Sequence, residues 1–184
     1  MWHGRTVCCP LEDWAALPED NSHHVELDEG VLRVSSRPVS DHQWALMELG
    51  YQLRTQLPEH LVVLPRMEVV LRKEWPAIVR VPDLVVVPVE RARESPPRYP
   101  AQDVLLAVEV VSPGSVGTDR VTKFAEYAEA GIPNYWIVDL GKPVSIAVFA
   151  LKDGHYLAVE ESAMALQLSA PAELTVDPAP LLPK

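Results

Sequence analysis

The run Val104-Leu105-Leu106-Ala107-Val108-Glu109-Val110-Val111 constrains this chain more than any other segment. A continuous apolar run, broken downstream by Ser112-Pro113-Gly114, reads as a β-strand covered on both faces. Its single charge is Glu109, and an ionised carboxylate left unpaired in such a strand costs several kcal/mol or more. Something cationic must therefore face Glu109.

The rest of the chain supplies the cover. Leu11 to Leu17 reads as a short helical segment stopped by Pro18. His24-Val25-Glu26-Leu27 and Val31-Leu32-Arg33-Val34 form a hairpin around Asp28-Glu29-Gly30, a turn sequence with glycine available for positive φ. Ser40 is placed as the N-cap of a helix from Asp41 to about Leu57, ended by Pro58. Leu61 to Leu71 and Pro82 to Val89 read as successive strands joined by the Arg72 to Arg80 segment, and Glu90 to Gln102, with three prolines, reads as a loop. After the break at Ser112, Thr118 is expected to cap a helix from Asp119 to about Ala130, with Gly131 just past its end. Asn134 to Val138, Val144 to Ala150 and His155 to Val159 resume strand, and the proline-rich tail from Ser169 is expected to pack only in part.

This order gives an α/β or α+β fold, a mixed central β-sheet flanked by helices, in which the helix after Glu109 makes a parallel crossover. The 184 residues suit one domain, with a core over about residues 11–150 and a C-terminal strand and tail over 151–184. Hydrophobic content of 48% with 23% charged residues is globular. No apolar stretch approaches the roughly 20 residues that span a bilayer, so a cytoplasmic location is expected. The adjacent Cys8 and Cys9 make neither a disulfide framework nor a zinc spacing, even with His3, His23 and His24 near them. A net charge of −10 argues against tight, nonspecific binding to nucleic acid, so a polyanion ligand would need local relief from bound divalent cations or a basic face. Arg66, Arg72, Lys73 and Arg80, and again Arg91, Arg93 and Arg98, are the local basic clusters, and their ordinary meaning is a solvated surface.

Asp83, in Val81-Pro82-Asp83-Leu84, opens a strand expected to neighbour that of Glu109, so the two carboxylates can meet at one edge of the sheet. Such a pair suits Mg²⁺, which takes one or two carboxylates together with waters and phosphate oxygens. Lys123, with Glu126 and Tyr127 on its helix face, could reach back over the strand end to stabilise developing charge. Blander readings stand beside these. Asp83 after a proline can be a turn acid; Glu109 and Lys123 can form a structural ion pair; Glu26 can be a solvated hairpin residue; Tyr127 and Tyr135 can be core or rim aromatics. Neither a Walker-type phosphate loop nor a serine nucleophile elbow is present.

Pro82-Asp83, then Val108-Glu109-Val110-Val111-Ser112-Pro113, then Lys123 with Tyr127, and Gly131-Ile132-Pro133-Asn134-Tyr135-Trp136-Ile137-Val138-Asp139 together resemble the Uma-two family of restriction endonucleases, within the PD-(D/E)XK nuclease superfamily. The likeness extends to Val25-Glu26-Leu27 with Gly30 and to His42. The resemblance implies a restriction-endonuclease-like core and cleavage of DNA phosphodiester bonds that depends on Mg²⁺ or Mn²⁺. It implies Asp83 and Glu109 as metal ligands, with the carbonyl of Val110 as a third, and Glu26 as a further acid near the metal. The superfamily's usual lysine position is Val111 here, which transfers that role to Lys123. Cutting both strands of a duplex is compatible with a homodimer. The competing expectation is a nuclease-fold binding or scaffold protein of a mobile-element or defence system, with little catalysis and Lys123 paired permanently to Glu109. A metal-dependent hydrolase of a small phosphorylated substrate would fit the acidic charge but has no motif of its own.

Overall fold

The computed structural model describes residues 9–16, 24–35, 39–111 and 117–183. Its first elements are helix α1 (Leu11–Ala15), the hairpin β1 (His24–Asp28) and β2 (Val31–Ser35), and the long helix α2 (Ser40–Gln56). Then come β3 (Leu61–Pro65), β4 (Glu68–Arg72), β5 (Ile78–Arg80), β6 (Leu84–Pro88), α3 (Val89–Arg93) and β7 (Arg98–Pro100). Strand β8 (Leu106–Val111) precedes a helix that runs as a π-helical stretch over Thr118–Thr122 and continues as α4 (Lys123–Glu129). The remaining strands are β9 (Asn134–Asp139), β10 (Ser145–Lys152), β11 (His155–Ser162), β12 (Leu166–Leu168) and β13 (Leu174–Val176), followed by a 3₁₀ turn, Ala179–Leu181.

The larger sheet has the order β11-β10-β9-β8-β6-β3; β8 and β9 are parallel and every other pair is antiparallel. Strand β8 lies inside this sheet, and all six of its residues are buried. Its side chains alternate between two layers, as the pleat requires. Val108 and Val110, with Trp136 and Val138, pack on Leu46, Leu49 and Leu53 of α2. Ala107 and Val111, with Tyr135 and Ile137, pack beneath Tyr127 and Ala128 of α4. Glu109 has the parity of Ala107 and Val111, so it belongs to the α4 side. The continuous apolar run thus has the double cover expected of it.

A second sheet, β2-β1-β5-β4-β7, carries Glu26 on β1 and Arg80 on β5. Its hairpin closes through Glu29 (φ 46°) and Gly30 (φ 76°). A side chain at Gly30 would stand 2.7 Å from the Trp75 ring, so glycine is required there by space as well as by φ.

Several expectations need correction. Leu61 to Leu71 is not one strand: Pro65 cannot donate to a ladder and Arg66 turns into left-handed backbone (φ 52°), which sends β3 and β4 into different sheets. The Arg72 to Arg80 connection contains β5, and the supposed loop from Glu90 contains α3 and β7. Ser40 and Thr118 are inside their helices and cap neither; Val39 and Gly117 precede them, without a capping side-chain bond. The Ser112 to Val116 part of the break lies outside the described residues, as do Cys8, His3 and His23. Gly131 (φ 82°) does end the helix.

The tail also packs more than its prolines imply. Gln52 and Gln56 of α2 each make a pair of bonds to its backbone, at Asp177 and Thr175, with lengths of 2.8 to 3.0 Å. These bonds seat Leu166, Leu168, Leu174, Val176 and Leu181 in the core under α2. Among the described residues, no helix is long and apolar enough to cross a membrane. Leu166 is fully buried, so Leu166→Ala is expected to cost about 2–5 kcal/mol in urea unfolding. A loss below about 1 kcal/mol would mean that the tail is only loosely attached.

Candidate functional site

The register of the central strands sets the acids in place. Leu84 of β6 faces Val108 of β8, and continuing that antiparallel ladder by one residue places Asp83 opposite Glu109. Asp83 Oδ2 accepts a 2.9 Å hydrogen bond from the backbone N–H of Val110, which ties it to the strand bearing Glu109. It also lies 3.1 Å from His42 Nε2, in the first turn of α2. A carboxylate only accepts, so Nε2 carries the proton in that bond. Both Asp83 and His42 are buried.

Helix α4 delivers the cation from above. Lys123 and Tyr127 are four residues apart and share one helix face, and both donate to Oε1 of Glu109, at 2.9 and 2.7 Å. The same ammonium is 3.0 Å from Oε1 of Glu26 and 3.7 Å from Oδ1 of Asp119. Lys123 is only 6% exposed, which for a lysine requires such compensation. Burial works against its charge, yet Glu109, Glu26 and Asp119 outweigh burial and raise its pKa. For Glu109, burial raises the carboxyl above its ordinary range; Lys123 opposes the rise, while Asp83, Asp119 and Glu26 reinforce it. Burial and the nearby carboxylates likewise raise the Tyr127 phenol, so it stays a donor.

A second buried cation stands beside the first. Arg80 of β5 is 2% exposed and binds Oε2 of Glu26 at 3.3 Å, Oδ1 of Asp28 at 2.8 Å, and both oxygens of Glu126 at 2.7 Å. Glu26 joins the two groups, and its Oε1 also accepts from the N–H of Val81 at 3.0 Å. Five carboxylates, Glu26, Asp28, Glu109, Asp119 and Glu126, therefore converge on the two buried cations, and exposed Arg33 also pairs with Asp28. Negative charge is in local excess. Two oxygens of the opposed acids, Asp83 Oδ1 and Glu109 Oε2, have no hydrogen-bond donor among the described residues.

The structure thus brings Asp83, Glu109, Lys123 and Glu26 together, with Val110 contributing its N–H to Asp83. Glu26 is 8% exposed, so it is not a solvated hairpin residue. Tyr127 is core aromatic and hydrogen-bond donor at once. Arg80, grouped in the sequence with a solvated basic cluster, is instead buried, and it shows the same signal as Glu109, a lone charge within the apolar run Ala77-Ile78-Val79-Arg80-Val81. Glu26 and Asp28 sit on one face of β1 by period two, which also foretold a shared partner. His42 entered only through the resemblance, and Asp119, four residues before Lys123 on the expected helix, was not singled out. The surface arginines are locally neutralised: Arg72 by Glu29, Arg91 by Asp103 and Glu94, Arg93 by Glu90, and Arg98 by Glu68.

The model of the Uma2 family, described as "Putative restriction endonuclease", matches residues 11–179. The chain belongs to the Uma2 family. No curated protein matches it. A solved structure from Anabaena variabilis ATCC 29413, described as a "putative nuclease belonging to DUF820", is similar with a TM-score of 0.71 at 17% identity, over 94% of this chain and 96% of that one. At that identity the likeness speaks for the fold. Asp83, Glu109, Lys123 and Glu26 all fall within the stretch matched by the Uma2 model.

Lys123→Met removes the ammonium shared by Glu26, Glu109 and Asp119, and is expected to destabilise the protein by about 3–5 kcal/mol. The double variant Lys123→Met with Glu109→Gln should recover part of that loss. A double-mutant cycle in chemical denaturation measures this, and simple additivity of the two changes would show that the pair is not coupled.

Proposed function

We propose that this Uma2 protein is a divalent-cation-dependent endonuclease that hydrolyses phosphodiester bonds of DNA. The observation that carries the reading is the opposition of Asp83 and Glu109, each with one carboxylate oxygen free of hydrogen-bond donors among the described residues, where the buried acids Glu26, Asp83, Glu109 and Asp119 outnumber the buried Arg80 and Lys123. Membership of a family described as restriction endonucleases supports it.

The donor set fits Mg²⁺ or Mn²⁺. Hard carboxylate oxygens are what these ions prefer, and Mg²⁺ takes one or two carboxylates while leaving positions for water and substrate phosphate. Among the described residues no group of three or more His, Cys, Asp or Glu side chains is arranged to hold a metal ion, so the reading rests on two carboxylates. Asp83 and Glu109 would hold the ion, with the Val110 carbonyl as a candidate third ligand. When bound, the ion supplies neutralisation of phosphate charge and a lowered pKa for attacking water.

The remaining chemistry is the protein's own. His42 and the N–H of Val110 hold Asp83 Oδ2, which leaves Oδ1 to point elsewhere. Lys123 and Tyr127 hold Glu109 Oε1 in the same way. Glu26 and Asp119 restrain the ammonium from its other sides. Lys123 therefore presents a fixed positive charge beside the two acids, suited to stabilising charge that develops on the phosphate. The buried setting strengthens each of these interactions relative to water. Two such centres, one per copy in a homodimer, would serve the two strands of a duplex.

A second reading rests on the Lys123–Glu109 pair itself: if it already meets the charge requirement of Glu109, the fold acts as a binding or scaffold module without catalysis. Plasmid nicking separates the two. With Mg²⁺ or Mn²⁺ the wild type should cut, EDTA should stop it, and Asp83→Ala or Glu109→Gln should slow it about a hundredfold or more. Equal cutting by all three proteins would assign the activity to a contaminant, and no cutting by the wild type would favour the scaffold reading.

A further inference from the structure

Arg66 stands in the row of residues that crosses the sheet at the two acids. Pro65 of β3 faces Leu84 of β6, and the next step of that ladder sets Arg66 beside Asp83, whose carbonyl accepts the Arg66 N–H at 3.1 Å. The order across the strands is Arg66, Asp83, Glu109, Ile137. Arg66 is held there in left-handed backbone, φ 52°, which is uncommon outside glycine, asparagine and aspartate and which persists where the surroundings impose it.

Its side chain is as unusual as its backbone. The surface arginines Arg33, Arg72, Arg91, Arg93, Arg98 and Arg120 each have a carboxylate partner. Arg54 lies over the Tyr51 ring at 6.0 Å. Arg66 has neither arrangement among the described residues, and its Nε is buried without any hydrogen-bond acceptor. In a chain of net charge −10, an arginine whose backbone pairs with Asp83 and whose side chain has no carboxylate partner among the described residues is a guanidinium kept available. A buried N–H without an acceptor is costly to leave unmade, and a bound oxyanion would satisfy it.

We propose that Arg66 is a substrate-contact residue that grips a non-bridging oxygen of a nucleic-acid phosphate next to the Asp83–Glu109 centre. The planar guanidinium suits that role, since it binds phosphate through two parallel N–H bonds. The proposal rests on the nuclease reading and deepens it by naming the group that holds the phosphodiester against the acids. It also answers the charge problem of an acidic protein that acts on a polyanion: one arginine at the centre supplies attraction where the surface does not.

The backbone offers a clean test, because glycine suits φ 52° better than arginine does. Arg66→Gly should keep or raise the melting temperature while losing the contact. Binding of a fluorescein-labelled DNA duplex in Ca²⁺ is followed by anisotropy over a series of salt concentrations for the wild type, Arg66→Gly, Arg66→Lys and the surface control Arg93→Gln. Arg66→Gly is expected to bind about tenfold more weakly, with a salt slope shallower by about 0.9, the value of one phosphate contact on B-DNA. Arg66→Lys should recover part of the affinity and the slope, and Arg93→Gln should match the wild type. If the wild type binds but Arg66→Gly binds with unchanged affinity and slope, the role of Arg66 is overturned and the nuclease reading stands. If Arg66→Gly loses stability and binding together, Arg66 is a structural residue and the proposal falls. If the wild type does not bind DNA at all, both readings fall.

Discussion

The ammonium of Lys123 is the point on which the interior is organised. It reaches from α4 to Glu109 on β8 and Glu26 on β1, with Asp119 of its own helix behind it. One charge thus ties the helix layer to both sheets. Removing a lysine from water is expensive, and only the convergence of several carboxylates offsets that cost. Glu109 depends on that cation in turn, while Glu26 is also held by Arg80 and the N–H of Val81. The arrangement holds α4 over the central strand with Tyr127 beneath it, and edge-on contacts between Tyr127, Tyr135 and Phe124 seal the same layer.

This cluster also bears on the choice posed by a lone acid in an apolar strand. Glu109 divides its two oxygens: Oε1 serves Lys123 and Tyr127, and Oε2 is free of donors among the described residues. Asp83 is divided in the same manner, with Oδ2 taken by His42 and Val110. A structural ion pair and a cation site are therefore not exclusive. The bonds made by one oxygen of each acid fix the direction of the other, which is the preorganisation a site needs.

The strands near Glu109 were legible because their apolar runs are long and their breaks are marked by glycine or proline. Boundaries failed where a single backbone torsion decided the outcome, as at Arg66, whose left-handed turn nothing in Leu64-Pro65-Arg66-Met67 announces beyond the proline. The packed tail was missed for a related reason: its attachment depends on Gln52 and Gln56, polar residues on α2 whose bonds to a distant backbone have no local signature. In the site, Asp83 and Glu109 could be paired from strand order alone. Lys123 was placed by its helix face after the strand, Glu26 was brought in by the family resemblance, and Asp119, four residues before Lys123, was not singled out although that spacing puts the two on one helix face. Arg80 was misread as part of a solvated cluster, although the rule that singled out Glu109 applies to it without change.

The claim that organises this account is that Asp83 and Glu109 share one divalent cation. Anomalous diffraction from crystals grown with Mn²⁺ tests it directly. The predicted result is a peak at bonding distance, about 2.0–2.3 Å, from both Asp83 Oδ1 and Glu109 Oε2, with Lys123 still at Glu109 Oε1. Crystals at saturating Mn²⁺ with no peak between these two carboxylates, or with the ion held by other residues alone, would contradict it.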